Sequence, residues 1–301
     1  MPTPAAREET NAYALPLLPR ESTGSVMIQE LAAEQKAEVL AFLSERPLHT
    51  VFMASLIQDN GMISPLNRGI FYACRNEAGQ LEGVALVGHA TALETRTDAA
   101  LQAFAELARL TERKHIIIGE QEKIERFWSY YAGAGQDARL LCRELLFEQC
   151  WPVAVREAVR GLRLATLDDL ELVMPVQAQM AFEESGVNPM AVDPMGFRLR
   201  CARRIEQGRV WVWVENGRLI FKADIIAETA QATYLEGIHI DPEERGRGYG
   251  LRCMSQLSRT LLARTASVCL LVNEKNAKAR EFYLRAGYKL RSHYDTIFLK
   301  Q

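Results

Sequence analysis

An α/β fold, more strictly α+β, built from two similar halves is predicted by three observations. Helical and strand periodicities alternate along the chain, the order of helices and hairpin is the same in both halves, and 301 residues suit two ordinary domains. In the first half a short strand around SVMIQEL is followed by helices over AEQKAEVLAFLSE and from LHTVFMASLIQ. Strands GIFYACR and LEGVALVG come next, with Asn76 and Gly79 as turn residues between them. The run HIIIG and the helical EQEKIERFWSYYAG close the half. The second half restarts at VRGLRLATLDDL, where Thr166 suits a helix cap and Asp168 and Asp169 sit at the favourable end of the dipole. GRVWVWVE and RLIFKADII flank Asn216-Gly217, a strong hairpin signal, and ATYLEGIHI is a further strand. The joint falls near EQCWPVAVREAV, with Pro152 in or beside a linker, so the expected division is a flexible leader 1–22, a domain 23–150 and a domain 151–301.

Apolar residues make up 48% and charged residues 25%, which supports a packed core. Lys plus Arg is 36 against Asp plus Glu at 38, so no global basic field recruits nucleic acid or anionic lipid, and local loops must carry any anion binding. Six scattered cysteines show neither zinc-ligand spacing nor disulfide density and read as core thiols in a reducing cytoplasm. No stretch is long and apolar enough to span a membrane.

The stretch DPEERGRGYGLRCMSQL places Gly246, Gly248 and Gly250 between the end of a strand and an amphipathic helix in which Leu251, Met254, Leu257, Leu261 and Leu262 recur at helical spacing. Amides at such a junction lack intrahelical partners and point outward with the positive end of the dipole. Glycine lets the backbone approach a bulky diphosphate, and Arg245 and Arg247 add charge at the rim. A Walker loop would need Lys followed by Ser or Thr, and a dinucleotide fingerprint would need different glycine spacing. The stretch instead resembles motif A of the GNAT superfamily of N-acetyltransferases: Arg or Gln, two residues, Gly, one residue, then Gly or Ala, met here by Arg245, Gly248 and Gly250. LLVNEKNAKAREFYLRAGYKL is similar to motif B, with Leu270 to Val272 as the buried strand, Asn276, then Tyr283 seven residues on, and Gly287-Tyr288.

The resemblance covers the chain from near residue 160 to the end and includes FEESGVNPM and RLIFKAD, which look like a bacterial group carrying an extra amino-terminal domain. It implies tandem GNAT-like domains, each a mixed, mostly antiparallel twisted sheet flanked by helices, and acetyl transfer from acetyl-coenzyme A to a small-molecule or peptide amine. Ile238, His239 and Ile240 would lie along the pantetheine arm, and the loop Arg245, Gly246, Arg247, Gly248, Tyr249 and Gly250 would hold the pyrophosphate. Asn276 would contact the cofactor near its arm, and Tyr283 would stand beside the sulfur as general acid. Glu236 is the candidate base and His239 the runner-up; regular alternation puts them on opposite faces unless the strand is bulged. A non-catalytic acyl-CoA sensor is the alternative that Tyr283 argues against.

Lys222 and Asp224 share a strand face and read as a pair, while Trp211 and Trp213 read as packing between the two domains. In the first half no glycine occurs between Gly88 and Gly119, and Thr97 and Asp98 would cap a helix where a phosphate loop should fall. That half is expected to be a degenerate GNAT-like domain that does not bind coenzyme A, and either shapes the acceptor cleft or forms a homodimer contact.

Overall fold

The computed structural model describes residues 25–111, 115–132 and 137–300. The expected leader, 1–22, lies outside the described residues. The first half runs β1 (Val26–Glu30), α1 (Lys36–Ser44), α2 (Pro47–Asn60), β2 (Gly69–Asn76), β3 (Leu81–Gly88), β4 (Ala90–Thr95), α3 (Asp98–Leu110), β5 (Ile116–Glu120), α4 (Gln121–Tyr131) and β6 (Ala138–Gln149). The second runs β7 (Leu162–Leu164), α5 (Leu170–Ser185), α6 (Pro189–Val192), α7 (Pro194–Glu206), β8 (Val210–Glu215), β9 (Arg218–Glu228), β10 (Ala232–Ile240), α8 (Tyr249–Leu261), β11 (Ser267–Asn273), α9 (Ala277–Ala286) and β12 (Lys289–Leu299). The Asn216-Gly217 turn has positive φ at both residues, 51° and 73°, as the tight hairpin requires. Thr166 opens a capping box with Asp169, but a 3-10 turn at Leu167–Asp169 comes first, so the α-helix proper begins at Leu170.

Both halves belong to one sheet of 12 strands among the described residues, in the order β1-β2-β3-β4-β5-β12-β6-β11-β10-β9-β8-β7. Neighbours are antiparallel except β4 with β5 and β10 with β11. The order is close to palindromic, and the two halves trade their last strands at its centre. β6, which ends the first half, pairs with β11 of the second, and β12, which ends the second, pairs with β5 of the first. The two traded strands pair with each other over almost their full length. Tandem sheets are therefore present as the pattern implied, but they are fused by this exchange, which hydrophobic periodicity cannot report because a strand carries the same alternation whichever neighbour it finds.

Helices α3, α4, α8 and α9 cover one face. On the other face α1 and α2 cover the first half, and α5 and α7 cover the second. Between these two groups the middle of the sheet is left open. Trp213 packs edge-on to Tyr249 of α8 at 5.0 Å, and Trp211 packs against the same cluster, so both belong to the core of the second half. The expected packing between domains is corrected: β8 lies near the outer edge of the sheet, far from the central seam. Five cysteines are buried thiols and Cys150 is exposed. Among the described residues no helix is long and apolar enough to cross a membrane.

Candidate active site

Strand β10 leaves its neighbour part way along. It pairs with β11 from Ala232 to Leu235 and from Glu236 onward pairs only with β9. The resulting V exposes one backbone edge of residues 236–240. At the split lies a bulge, marked by a register shift between Glu236 and His239 and by Gly237 with φ +60°. A Cβ at Gly237 would stand 2.8 Å from Lys222 Nζ, so both backbone strain and contact exclude a larger residue. The bulge resets the alternation: Leu235, Ile238 and Ile240 all face the core under α8 and α9. Glu236 and His239 consequently share the opposite face, the condition under which both could approach one site. Only Glu236 reaches the central cavity; His239 is half-buried opposite Lys222. Burial lowers the His239 pKa, with Arg245 and Lys222 adding to the effect.

Beyond β10 the chain makes a 3-10 turn at Pro242–Glu244, then passes through Gly246 and Gly248 at φ +79° and +81° into α8. A Cβ on Gly246 or Gly248 would meet nothing within 4 Å, so these two glycines serve the backbone turn and leave open space above it. Gly250 differs, because a Cβ there would lie 2.9 Å from Phe282 and 3.3 Å from Ile240, which makes it the close-packing point of α8 against α9 and β10. The Arg245 amide reaches Pro242 O at 3.4 Å, whereas the amides from Gly246 to Leu251 have no hydrogen-bond partner among the described residues. Arg245 Nε donates to Ile240 O at 3.1 Å and Arg247 pairs with Glu244 at 2.9 Å. The cradle is built of main-chain donors and the helix dipole, with its arginines held at the rim.

Asn276 caps α9 by accepting from the Ala279 amide at 3.0 Å, and Gly287 ends the helix with φ +97°. Tyr283 is buried between Phe282 and Tyr288, with ring centroids 5.1 and 5.7 Å away. Burial raises its pKa, and its hydroxyl has no hydrogen-bond partner among the described residues. It is a protonated donor with nothing yet to donate to.

On the other face the open middle of the sheet is a cavity of about 880 Å³, lined by residues of both halves. Glu236 is surrounded by protein yet exposed to the cavity, and the Tyr234 hydroxyl donates to it at 2.6 Å. Burial raises the Glu236 pKa. Glu144, on β6, accepts from Thr296 Oγ1 at 2.6 Å, and burial with the nearby Glu236 pushes it up to about 7. Glu184, near the end of α5, is pushed up to about 8 by burial and by Glu236 and Glu144. Behind the bulge Lys222 and Asp224 do pair, at 2.8 Å, and both are buried. Lys222 also donates to Gln177 at 2.6 Å, and Arg204 braces Asp224 at 3.1 Å. Sequence reasoning named Glu236, which lines the cavity, but did not name Glu144, Glu184 or Tyr234, which line it too. Tyr234 was signalled by its place two residues before Glu236 on one strand face, whereas Glu144 reaches the site only through the strand exchange.

The first half has a V of its own. β4 pairs with β5 from Ala90 to Ala92 and then runs on unpaired on that side, which places Glu94 where Glu236 stands in the second half. Arg46 and Lys123 clamp Glu94 at 3.0 and 2.7 Å. Glu120 beside it is opposed by burial, but Arg46, His49 and Lys123 draw it down to about 2. At the start of α3, Thr97 accepts from the Ala100 amide, and Asp98 is held by Tyr130 and Arg126. The first turn of α3 therefore carries the Thr97 cap and the Asp98 carboxylate.

The family model described as FR47-like protein matches residues 221–297, which contain the V, the loop and both motifs. None of the curated proteins matches this sequence. Among solved structures, a Drosophila protein superposes with a TM-score of 0.69 at 13% identity, covering 92% of this chain and 99% of that one. A tandem GNAT protein from the clavulanic acid biosynthesis pathway gives 0.57 at 13% identity, over 91% and 98% of the two chains. A GNAT-family acetyltransferase from Colwellia psychrerythraea gives 0.54 at 11%, over 91% and 100%. The chain has the tandem GNAT fold.

Proposed function

We propose that this tandem GNAT fold is an acetyltransferase, with acetyl-CoA as donor and a primary amine as acceptor, and that the V between β10 and β11 is where the two meet. The observation that carries the reading is the split at Glu236: unoccupied amides and Tyr283 lie toward one face, and a carboxylate-lined cavity lies toward the other. The residues present fit the donor. The amides from Gly246 to Leu251 would hold its diphosphate, the free edge at Ile238, His239 and Ile240 would run beside its pantetheine arm, and Asn276, the cap of α9, would contact it near that arm. Once bound, acetyl-CoA supplies an already activated thioester, so much of the remaining work is alignment.

Glu236, with a pKa above the usual carboxylate range, takes the proton that an ammonium must lose before its nitrogen can attack. As the nitrogen–carbon bond forms and the carbon–sulfur bond breaks, Tyr283 protonates the departing thiolate. Its raised pKa keeps that proton in place until then. The first half contributes Leu48 to Met53 of α2 and part of β4 and β5 to the cavity, so its role is to wall the acceptor side. Calorimetry with coenzyme A, followed by thiol release from acetyl-CoA over an amine panel, tests the reading. Expected are tight binding and amine-stimulated release that Tyr283→Phe reduces; binding with no amine-stimulated release would make the chain an acyl-CoA-binding protein.

A further inference from the structure

Resting on the acetyltransferase reading, we infer that the acceptor is a diamine or polyamine: one amino group is acetylated beside Glu236 while a second ammonium is held by Glu144 and Glu184. The cavity carries an imbalance of charge that the protein does not itself settle. Elsewhere around it each carboxylate has its cation: Glu94 and Glu120 have Arg46 and Lys123, Asp224 has Lys222 and Arg204, and Asp193 has Arg200. Glu144, Glu184 and Glu236 have no ion pair among the described residues, and two of them keep only one hydroxyl hydrogen bond apiece. Crowding carboxylates in one cavity without counter-ions is costly even where, like Glu184 and Glu236, they are open to it, and a site retains them when a ligand brings the charge. The nearest arginines are engaged elsewhere. Arg139 donates to Ser185 O at 2.7 Å and stacks over Phe298, and Arg204 is held by Asp224.

The placement sets the shape of the guest. Glu144 on β6 and Glu236 on β10 are separated by β11, so their backbones stand at least two strand spacings apart, about 10 Å, with a further offset of two residues along the strands, about 7 Å. Glu184 closes the same space from α5. Leu146, Leu271 and Ile226 line the cavity between and around them. Two cations joined by an aliphatic spacer match this wall, and a lone amine would leave Glu144 and Glu184 uncompensated. The competing design is an acceptor with an anionic tail, which would turn to the far rim, where Arg68 and His89 lie.

The test uses the full chain and three series of equal length: linear α,ω-diamines, n-alkylamines and ω-amino acids. Thiol release should show kcat/KM for the best diamine at least about tenfold above its alkylamine, corresponding to about 1.4 kcal/mol, with the ω-amino acid below both. Glu144→Gln and Glu184→Gln should each narrow the diamine-to-alkylamine ratio about tenfold, with thermal melts confirming the fold. Calorimetry with the diamine alone reads the cavity independently of transfer, and the same variants should weaken that binding. The inference is overturned if alkylamines or ω-amino acids match the diamines, if neither variant moves the ratio, or if no diamine binds. Diamine binding without thiol release would keep the diamine site and defeat the acetyltransferase reading instead.

Discussion

Glu94 and Glu236 occupy matching positions in the two halves, each just past the point where a parallel strand pair separates, and their surroundings are opposite. Two cations clamp Glu94, while Glu236 faces a cavity and, among the described residues, has only the Tyr234 hydroxyl as hydrogen-bond partner. The ends of the following helices diverge in the same sense: α3 begins at Asp98, bound to Tyr130 and Arg126, whereas α8 begins beyond two open glycines with its amides free. One half has closed its V with an ion-pair network, and the other leaves Glu236 without an ion pair and the first α8 amides without a partner among the described residues. The same backbone geometry thus becomes a closed ion-pair network or an open carboxylate-lined V according to whether its polar groups find partners inside the protein.

The sharpest way to break this comparison is to neutralise both glutamates. Glu236→Gln should lower kcat about a hundredfold or more without loss of thermal stability, since it removes an unpaired carboxylate. Glu94→Gln should leave turnover nearly intact but cost about 2 kcal/mol of stability, read by urea unfolding, because Arg46 and Lys123 lose a partner that is 6% exposed. A hundredfold loss from Glu94→Gln would mean that the first V is catalytic too.

Next in size, Gly248→Val should weaken coenzyme A binding at least tenfold in calorimetry, about 1.4 kcal/mol. Its open surroundings predict strain from the positive φ and no internal clash. Unchanged affinity would remove the loop from the site.

The smallest effect is in pH. Glu144 and Glu184 have pKa values raised to about 7 and about 8, so the folded chain holds protons that the unfolded chain has released above the ordinary carboxylate range. Their contribution to stability therefore falls as pH rises from about 4.5 toward 8. Their capacity to hold a cation rises over the upper part of the same interval. The shift in Tm produced by a diamine should accordingly be larger at pH 8 than at pH 6, by a few degrees, and Glu184→Gln should flatten the difference.

The motifs were legible because their chemistry is local. Gly246, Gly248, Asn276, Tyr283 and Gly287 act through turns, caps and helix spacing that lie within one stretch of chain, and the structure places each at the junction it implied. The same holds for the first half's closed helix end, written in Thr97 and Asp98. What was not legible is what the topology brings together. Glu144 lies in the half that carries no motif and enters the cavity because β6 crosses to β11. Glu184 joins it from near the end of α5, nine residues after Pro175 in that helix. His239 shows a subtler limit, since strict alternation separates it from Glu236 and one bulge at Gly237 reverses that result.

The traded strands have a practical consequence for anyone who would isolate the second half. A polypeptide beginning at residue 151 would lack β6, leaving β11 and β12 with bare edges and nothing between them, an invitation to self-association. It would also lose Glu144, one wall of the pocket it was cut to preserve.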